Sequence, residues 1–159
     1  MKKAYNSKDI KWMKLSIFGA NTFSTCGKSQ YMCIILDEEG KVLGIGYNGG
    51  PSKMKHCVDG GCPRFKENSP SGSLYDNCIA VHAEINAISH CDWGQRKNCS
   101  LYVNGPPCYS CAKVICNSGI TKVFYIKDDS YKDFKKVLKL FRKCNVKTIN
   151  IPKELCEKK

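Results

Sequence analysis

Residues 99–126 read CSLYVNGPPCYSCAKVICNSGITKVFYI, and their pattern decides the fold. CSLYVN reads as a short strand and TKVFYI as another. Between them, PPCYSCAKVICNSG reads as a helix over 107–118, with proline in its first turn and Gly119 past its end. Strand, helix, strand in that order implies parallel strands joined by a right-handed crossover.

The same reading extends outward. Upstream, IAVHAEINAISHC suggests a helix over 81–91, with Val81, Ile85 and Ile88 on one side. Downstream, SYKDFKKVLKLFRKC (130–144) suggests a helix with Phe134, Val137, Leu138 and Phe141 on its core face, and VKTINI a last strand. Near the start, residues 8–22 place Ile10, Met13, Ile17 and Ala20 on one helical face, widened by Trp12, Leu15 and Phe18. YMCIILDEEGKVLGIGYN then predicts a hairpin, 31–37 and 41–47, about the polar DEEGK. Its first run is nearly unbroken in apolar residues, as expected for a strand buried on both faces. The expected order is α-β-β-α-β-α-β-α-β. This gives a single α/β domain over 1–159, with a mixed five-stranded sheet flanked by helices on both faces.

A chain of 159 residues is long enough for a substantial core. No apolar run approaches the length that spans a bilayer, and MKKAYNSKDIKWMK lacks the apolar centre of a signal peptide. A cytoplasmic protein without membrane partners is expected. In such a setting twelve cysteines indicate metal ligands and buried thiols rather than a disulfide frame. Cys33, Cys91, Cys99, Cys116, Cys144 and Cys156 read as structural. The formal charge of +12 suits an anionic partner. Much of the lysine excess nevertheless lies in the C-terminal stretch, where it reads as the solvated face of a helix.

His82, Glu84, Cys108 and Cys111 carry the chemistry. One imidazole and two thiolates, brought together by neighbouring helices, suit zinc and leave a fourth tetrahedral position open, which marks a catalytic site. Helix N-termini favour the thiolate form. Glu84, two residues after the histidine, is placed for proton transfer. Isolated H-x-E and C-x-x-C motifs are common; H-A-E followed by a strand and then P-C-x-x-C, both opening helices, is specific.

This combination is the signature of zinc nucleobase deaminases. Residues 22–127 resemble the deoxycytidylate (dCMP) deaminase family through TFSTCGKSQYMCII, GYNGGP, HC…GCPR, CIAVHAEINAI and LYVNGPPCYSCAKVICNSGI. The resemblance implies a three-layer α/β/α cytidine-deaminase-like fold and hydrolytic deamination of dCMP to dUMP. In that reaction zinc-bound hydroxide attacks cytosine C4. His82, Cys108 and Cys111 would be the zinc ligands and Glu84 the proton shuttle. Asn48 would bind the sugar, and Tyr109 and the backbone around Ala83 would line the base pocket. It also implies homo-oligomers, often hexamers, with dCTP and dTTP as effectors. One departure is NGPPC, where the family more often has a threonine-rich stretch before Pro-Cys; residues 104–106 fall near the pocket entrance.

Residues 48–77 are rich in Gly, Pro, Ser and Asn and show no periodicity, and so long a loop needs an anchor. Members resembling this chain carry a similar cysteine pattern. Cys26, Cys57, Cys62 and Cys78 would form a second, structural zinc site, with His56 an alternative to Cys57. The other reading is free thiols in a lid. Lys28, Arg64 and the neutral donor Ser24 are candidates for the substrate phosphate. Two rival functions remain: a deaminase acting on single-stranded DNA or a tRNA loop, and a non-catalytic zinc-binding nucleic-acid module. GYNGGP and the cysteine loop favour a mononucleotide over nucleic acid, and Glu84 argues against a purely structural metal site.

Overall fold

The computed structural model describes residues 4–68, 77–131 and 134–157. Its first helix, α1 (Ser7–Phe23), opens on a capping box. Asn6 Oδ1 accepts from the amides of Lys8 at 2.8 Å and Asp9 at 3.2 Å, while Asp9 Oδ2 accepts from Asn6 N at 2.7 Å. Met13, Ser16, Gly19 and Ala20 form its buried face. Leu15 and Phe18, expected to widen that face, are 41% and 64% exposed. α1 is an outer layer of the fold, so its contact stripe is narrower than the apolar one.

The strands are β1 (Met32–Leu36), β2 (Val42–Tyr47), β3 (Cys99–Val103), β4 (Ile120–Tyr125) and β5 (Lys147–Asn150), in the order β2-β1-β3-β4-β5. β1 runs antiparallel to β2 and β3, whereas β3, β4 and β5 run parallel, so the sheet is mixed as expected. Every residue of β1 is buried. The remaining helices are α2 (Pro63–Lys66), α3 (Ala83–Ser89), α4 (Tyr109–Cys116), α5 (Phe134–Lys143) and α6 (Lys153–Glu157). One apolar cluster joins Cys33, Ile35, Leu101 and Val123 to Ala87, Ala112, Ile115, Val137 and Phe141 on the α3, α4 and α5 side. The other joins Ile34, Tyr102, Phe124 and Ile149 to Met13 and Ala20 on the α1 side.

Several expected boundaries move. Val81 lies outside α3, because its N–H and C=O pair with Gly49 at 2.8 and 3.2 Å in an isolated bridge. His82 is therefore the N-cap of α3, with extended backbone (φ −72°, ψ 150°). The core side of α3 carries Ala83, Glu84, Ala87 and Ile88. Similarly, α4 begins at Tyr109, not at Pro107. Cys108 is its N-cap and accepts from Cys111 N through its own sulfur. Gly119 follows the end of α4 with φ 81°, as the sequence predicts. In α5, Val137 and Phe141 are buried and Phe134 packs against the core, while Leu138 is only half-buried. Lys132 and Asp133, within the expected helix, lie outside the described residues, as does 69–76 of the long loop. The rest of that loop holds a wide turn, Cys57–Gly61, and α2, neither of which has the length for a periodic signal. The same is true of α6.

α3 presses tightly on β2. A Cβ at Gly46 would lie 2.2 Å from Ala87 N, and one at Gly44 would lie 2.5 Å from Ala87 O. The glycines of VLGIGY therefore permit the close approach that brings His82 and Glu84 to the sheet. One turn apart on α3, Asn86 Nδ2 donates to Tyr47 O at 2.7 Å and His90 Nδ1 lies 3.2 Å from Ile45 O. These contacts occupy carbonyls of the edge strand β2. Among the described residues no helix is long and apolar enough to cross a membrane.

Candidate active site

Two N-caps meet at the sheet edge where β2 and β3 end. His82 heads α3 and Cys108 heads α4, with Cys111 in the first turn of α4. His82 Nδ1 lies 3.4 Å from Cys108 Sγ and 3.3 Å from Cys111 Sγ. Zinc–sulfur and zinc–nitrogen bonds of usual length at a tetrahedral angle would separate N from S by roughly 3.6 Å. The trio therefore fits zinc in both donor type and spacing. Among the described residues it is the only group of three such donors within 4.8 Å of one another.

The electrostatics agree. The hydrogen bond from Cys111 lowers the Cys108 thiol to about 4, and His82 contributes in the same direction. Cys111 is pushed upward by that same hydrogen bond and then by burial. Such a pair titrates together, one sulfur releasing its proton readily and the other retaining it until a cation arrives. Hydrogen bonding to Cys108 raises His82. Glu84, only 5% exposed, lies within hydrogen-bonding reach of Cys111, and burial raises its carboxyl above the ordinary range. A buried carboxyl that protonates more readily than usual is suited to accept and return a proton.

Ala83 is fully buried behind this group, and Tyr109 is 44% exposed at the head of α4, with Lys113 Nζ 5.7 Å from its ring centre. Asn48 is buried and heavily engaged. Its Oδ1 accepts from Ser24 Oγ at 2.6 Å and Tyr31 N at 2.9 Å, and its Nδ2 donates to Ser29 O at 2.7 Å. Those partners use both oxygen lone pairs and one amide hydrogen, leaving a single N–H with which to meet a ligand. Ser24 is thus brought to Asn48. Lys28 is half-buried in the α1–β1 connection. Arg64 is only 6% exposed, in α2 beside Cys62, which is far more buried than a surface arginine.

Cys26, Cys57, Cys62 and Cys78 form a looser group. Cys57 and Cys62 hydrogen-bond, and burial, followed by Cys62, pushes the Cys57 thiol to about 12; Cys26 and Cys78 are close enough to add to that rise. Burial pushes Cys62 up, but backbone donors at Phe65, Ile79 and Arg64 outweigh it, and its pKa is lowered. The four sulfurs do not converge as the first trio does. His56 Nδ1 instead lies 3.3 Å from Thr25 Oγ1. Sequence reasoning placed residues 104–106 near the pocket entrance but gave Asn104 no role. Its Oδ1 accepts from Met32 N at 2.9 Å, and its Nδ2 donates to Gln30 O at 3.0 Å. The only sequence signal is positional: Asn104 follows β3 as Asn48 follows β2.

Residues 6–127 match the profile of the cytidine and deoxycytidylate deaminase zinc-binding region. The chain is 37% identical over 110 residues to a deoxycytidylate deaminase of Mycobacterium phage D29, covering 66% of this chain and 84% of that one. It is 34% identical over 133 residues to the deoxycytidylate deaminase of Saccharomyces cerevisiae, covering 80% of this chain but only 41% of the yeast protein. The chain thus spans most of the phage relative and less than half of the yeast one. In fold it is similar to the dCMP deaminase of cyanophage S-TIM5, solved with dCMP and dUMP. The TM-score is 0.67 at 22% identity, covering 92% of this chain and all of the other.

Proposed function

The chain belongs to the cytidine and deoxycytidylate deaminase zinc-binding family, and from that premise we propose that it is a zinc-dependent hydrolase converting dCMP to dUMP. The observation that carries this reading is the meeting of His82 Nδ1 with the sulfurs of Cys108 and Cys111 at 3.3–3.4 Å, with Glu84 buried beside them. Zinc held there would supply a water acidified to near neutrality and hence nucleophilic at physiological pH. The names of the phage and yeast relatives support deoxycytidylate as the substrate.

This chain's own residues do the rest. Glu84 takes a proton from the attacking water and delivers it to cytosine N3 as the C–O bond forms at C4; it then carries the proton of the new C4 hydroxyl to the amino nitrogen, so that the C–N bond breaks, C4=O forms and ammonia leaves. Burial of Glu84 keeps that proton away from bulk solvent. Asn48 offers its remaining N–H to an oxygen of the sugar. Ala83 backs the base, Tyr109 borders the entrance, and Lys28 and Arg64 are the donors for the phosphate, the single O–H of Ser24 being given to Asn48.

The cysteine loop belongs to the same reading as a second, structural zinc site on Cys26, Cys57, Cys62 and Cys78. The three backbone donors around Cys62 support it, since N–H groups aimed at sulfur favour the thiolate that a metal needs. Homo-oligomers and control by dCTP and dTTP complete the proposal. The test is turnover of dCMP against dCTP, deoxycytidine, CMP and a cytosine-containing oligonucleotide, with and without added dCTP. Preference for dCMP supports the reading; preference for the oligonucleotide replaces it with a polynucleotide deaminase.

A further inference from the structure

Asn48 and Asn104 grip the same short segment from opposite sides. Asn48 follows β2 and bonds Ser29 O and Tyr31 N. Asn104 follows β3 and bonds Gln30 O and Met32 N. Each side chain thus supplies a donor and an acceptor to alternating backbone groups of 29–32. Together they extend the sheet by amide groups on both sides of β1. The chain ahead of a strand would ordinarily be loose; here it is a ledge fixed at four backbone atoms.

Two further observations place this ledge against the turn that leads from β3 into α4. Gly105, next after Asn104, packs on the Tyr31 ring so closely that a Cβ there would lie 2.4 Å from Tyr31 Cε1. In addition, Ser29, Gln30, Tyr31 and Asn104 line a cavity of about 490 Å³, as do Pro106 and Lys127. Pro106 is two residues before Cys108, about 3.8 Å of Cα path per step. Tyr31 also packs against the apolar cluster that holds Ala83 and Ala112, the residues next to His82 and Cys111, and it belongs to the segment that Asn48 holds.

Resting on the deaminase reading above, we propose that Asn104 is a positioning residue that sets nucleotide affinity by holding the Ser29–Tyr31 ledge against the part of the nucleotide beyond the base. It touches neither the metal trio nor Glu84, so it acts on binding and not on the chemical step. A hydroxyl can also donate and accept at once, so Asn104→Thr retains part of the function.

The experiment measures KM and kcat for dCMP, with zinc content and Tm, in wild type, Asn104→Ala, Asn104→Thr and Gly105→Ala. Gly105→Ala disturbs the same wall through Tyr31 and leaves the Asn104 amide in place, so the two lesions are independent. The expected result is KM raised about tenfold in Asn104→Ala and in Gly105→Ala, an intermediate KM in Asn104→Thr, and kcat within about threefold of wild type with zinc unchanged. A lowered Tm with unchanged KM in both Ala variants would make the clamp merely structural and overturn the proposal. A fall in kcat at constant KM would overturn it as well. If wild type itself leaves dCMP unaltered, the deaminase reading fails, and this inference with it.

Discussion

Two groups of sulfur donors are built differently. His82, Cys108 and Cys111 sit on the caps and first turn of helices seated on a packed core, and their donor atoms lie within 4.8 Å of one another. Cys26, Cys57, Cys62 and Cys78 sit on or beside short connections, where Cys57 and Cys62 hydrogen-bond and Cys26 and Cys78 lie near enough to act on Cys57. Ligands carried by regular elements inherit the precision of the core, whereas ligands carried by loops depend on the ion to order them. The first arrangement suits chemistry, in which small displacements are costly; the second suits a clip.

The largest effect should come from the carboxylate that separates chemistry from mere metal binding. Glu84→Gln should reduce dCMP turnover on the order of a thousandfold or more, with zinc content and Tm close to wild type. Surviving turnover would erase the distinction between the two regions, because Glu84 would then have no role that a structural site lacks. Next, the Cys57→Ser/Cys62→Ser double variant should lower bound zinc from near two per chain to near one. The folded protein should keep its rate within about tenfold, roughly 1.4 kcal/mol of barrier, while losing thermal stability. A wild type holding only one zinc would remove the clip from the comparison.

The same contrast explains what was legible in the sequence. The β3-α4-β4 unit was readable because proline, glycine and apolar period agree locally. The grouping of His82, Cys108 and Cys111 was readable because its members lie at fixed offsets from helix starts. The exact starts were not, since the bridge between Gly49 and Val81 is a long-range pairing and Cys108 caps α4 with its own sulfur. The saturation of Asn48, the burial of Arg64 and the clamp made by Asn104 depend on partners distant in sequence, which no local pattern records. Nor could spacing tell that the loop cysteines would approach without converging.

Smaller effects probe the scaffold that makes the first region precise. Tyr102 Oη donates to Asp9 Oδ1 at 2.7 Å, both residues being buried, and ties the central sheet to the first turn of α1. Tyr102→Phe should cost about 2 kcal/mol, the usual worth of a hydrogen bond to a charged partner. Burial, then the bond to Asp9, raises the phenol well above its ordinary value. The folded state therefore keeps a proton that the unfolded state releases above about pH 10. The stability from Tyr102 is complete below that pH and is lost as pH rises past it. Denaturation of wild type and Tyr102→Phe between pH 8 and 11 should show their difference narrowing at the alkaline end; a gap that widens there would contradict the assignment. Least of all, Asn86→Ala, which frees the edge carbonyl of Tyr47, should cost about 1 kcal/mol, read by urea unfolding. No change at all would mean that the edge of β2 needs no cap.

The central claim is tested most directly by zinc X-ray absorption on the Cys57→Ser/Cys62→Ser variant loaded with a single equivalent of metal. The account predicts two sulfur scatterers at about 2.3 Å and one imidazole at about 2.0 Å, with no third sulfur and no second imidazole. A shell of three or four sulfurs, or loss of the imidazole, would contradict it.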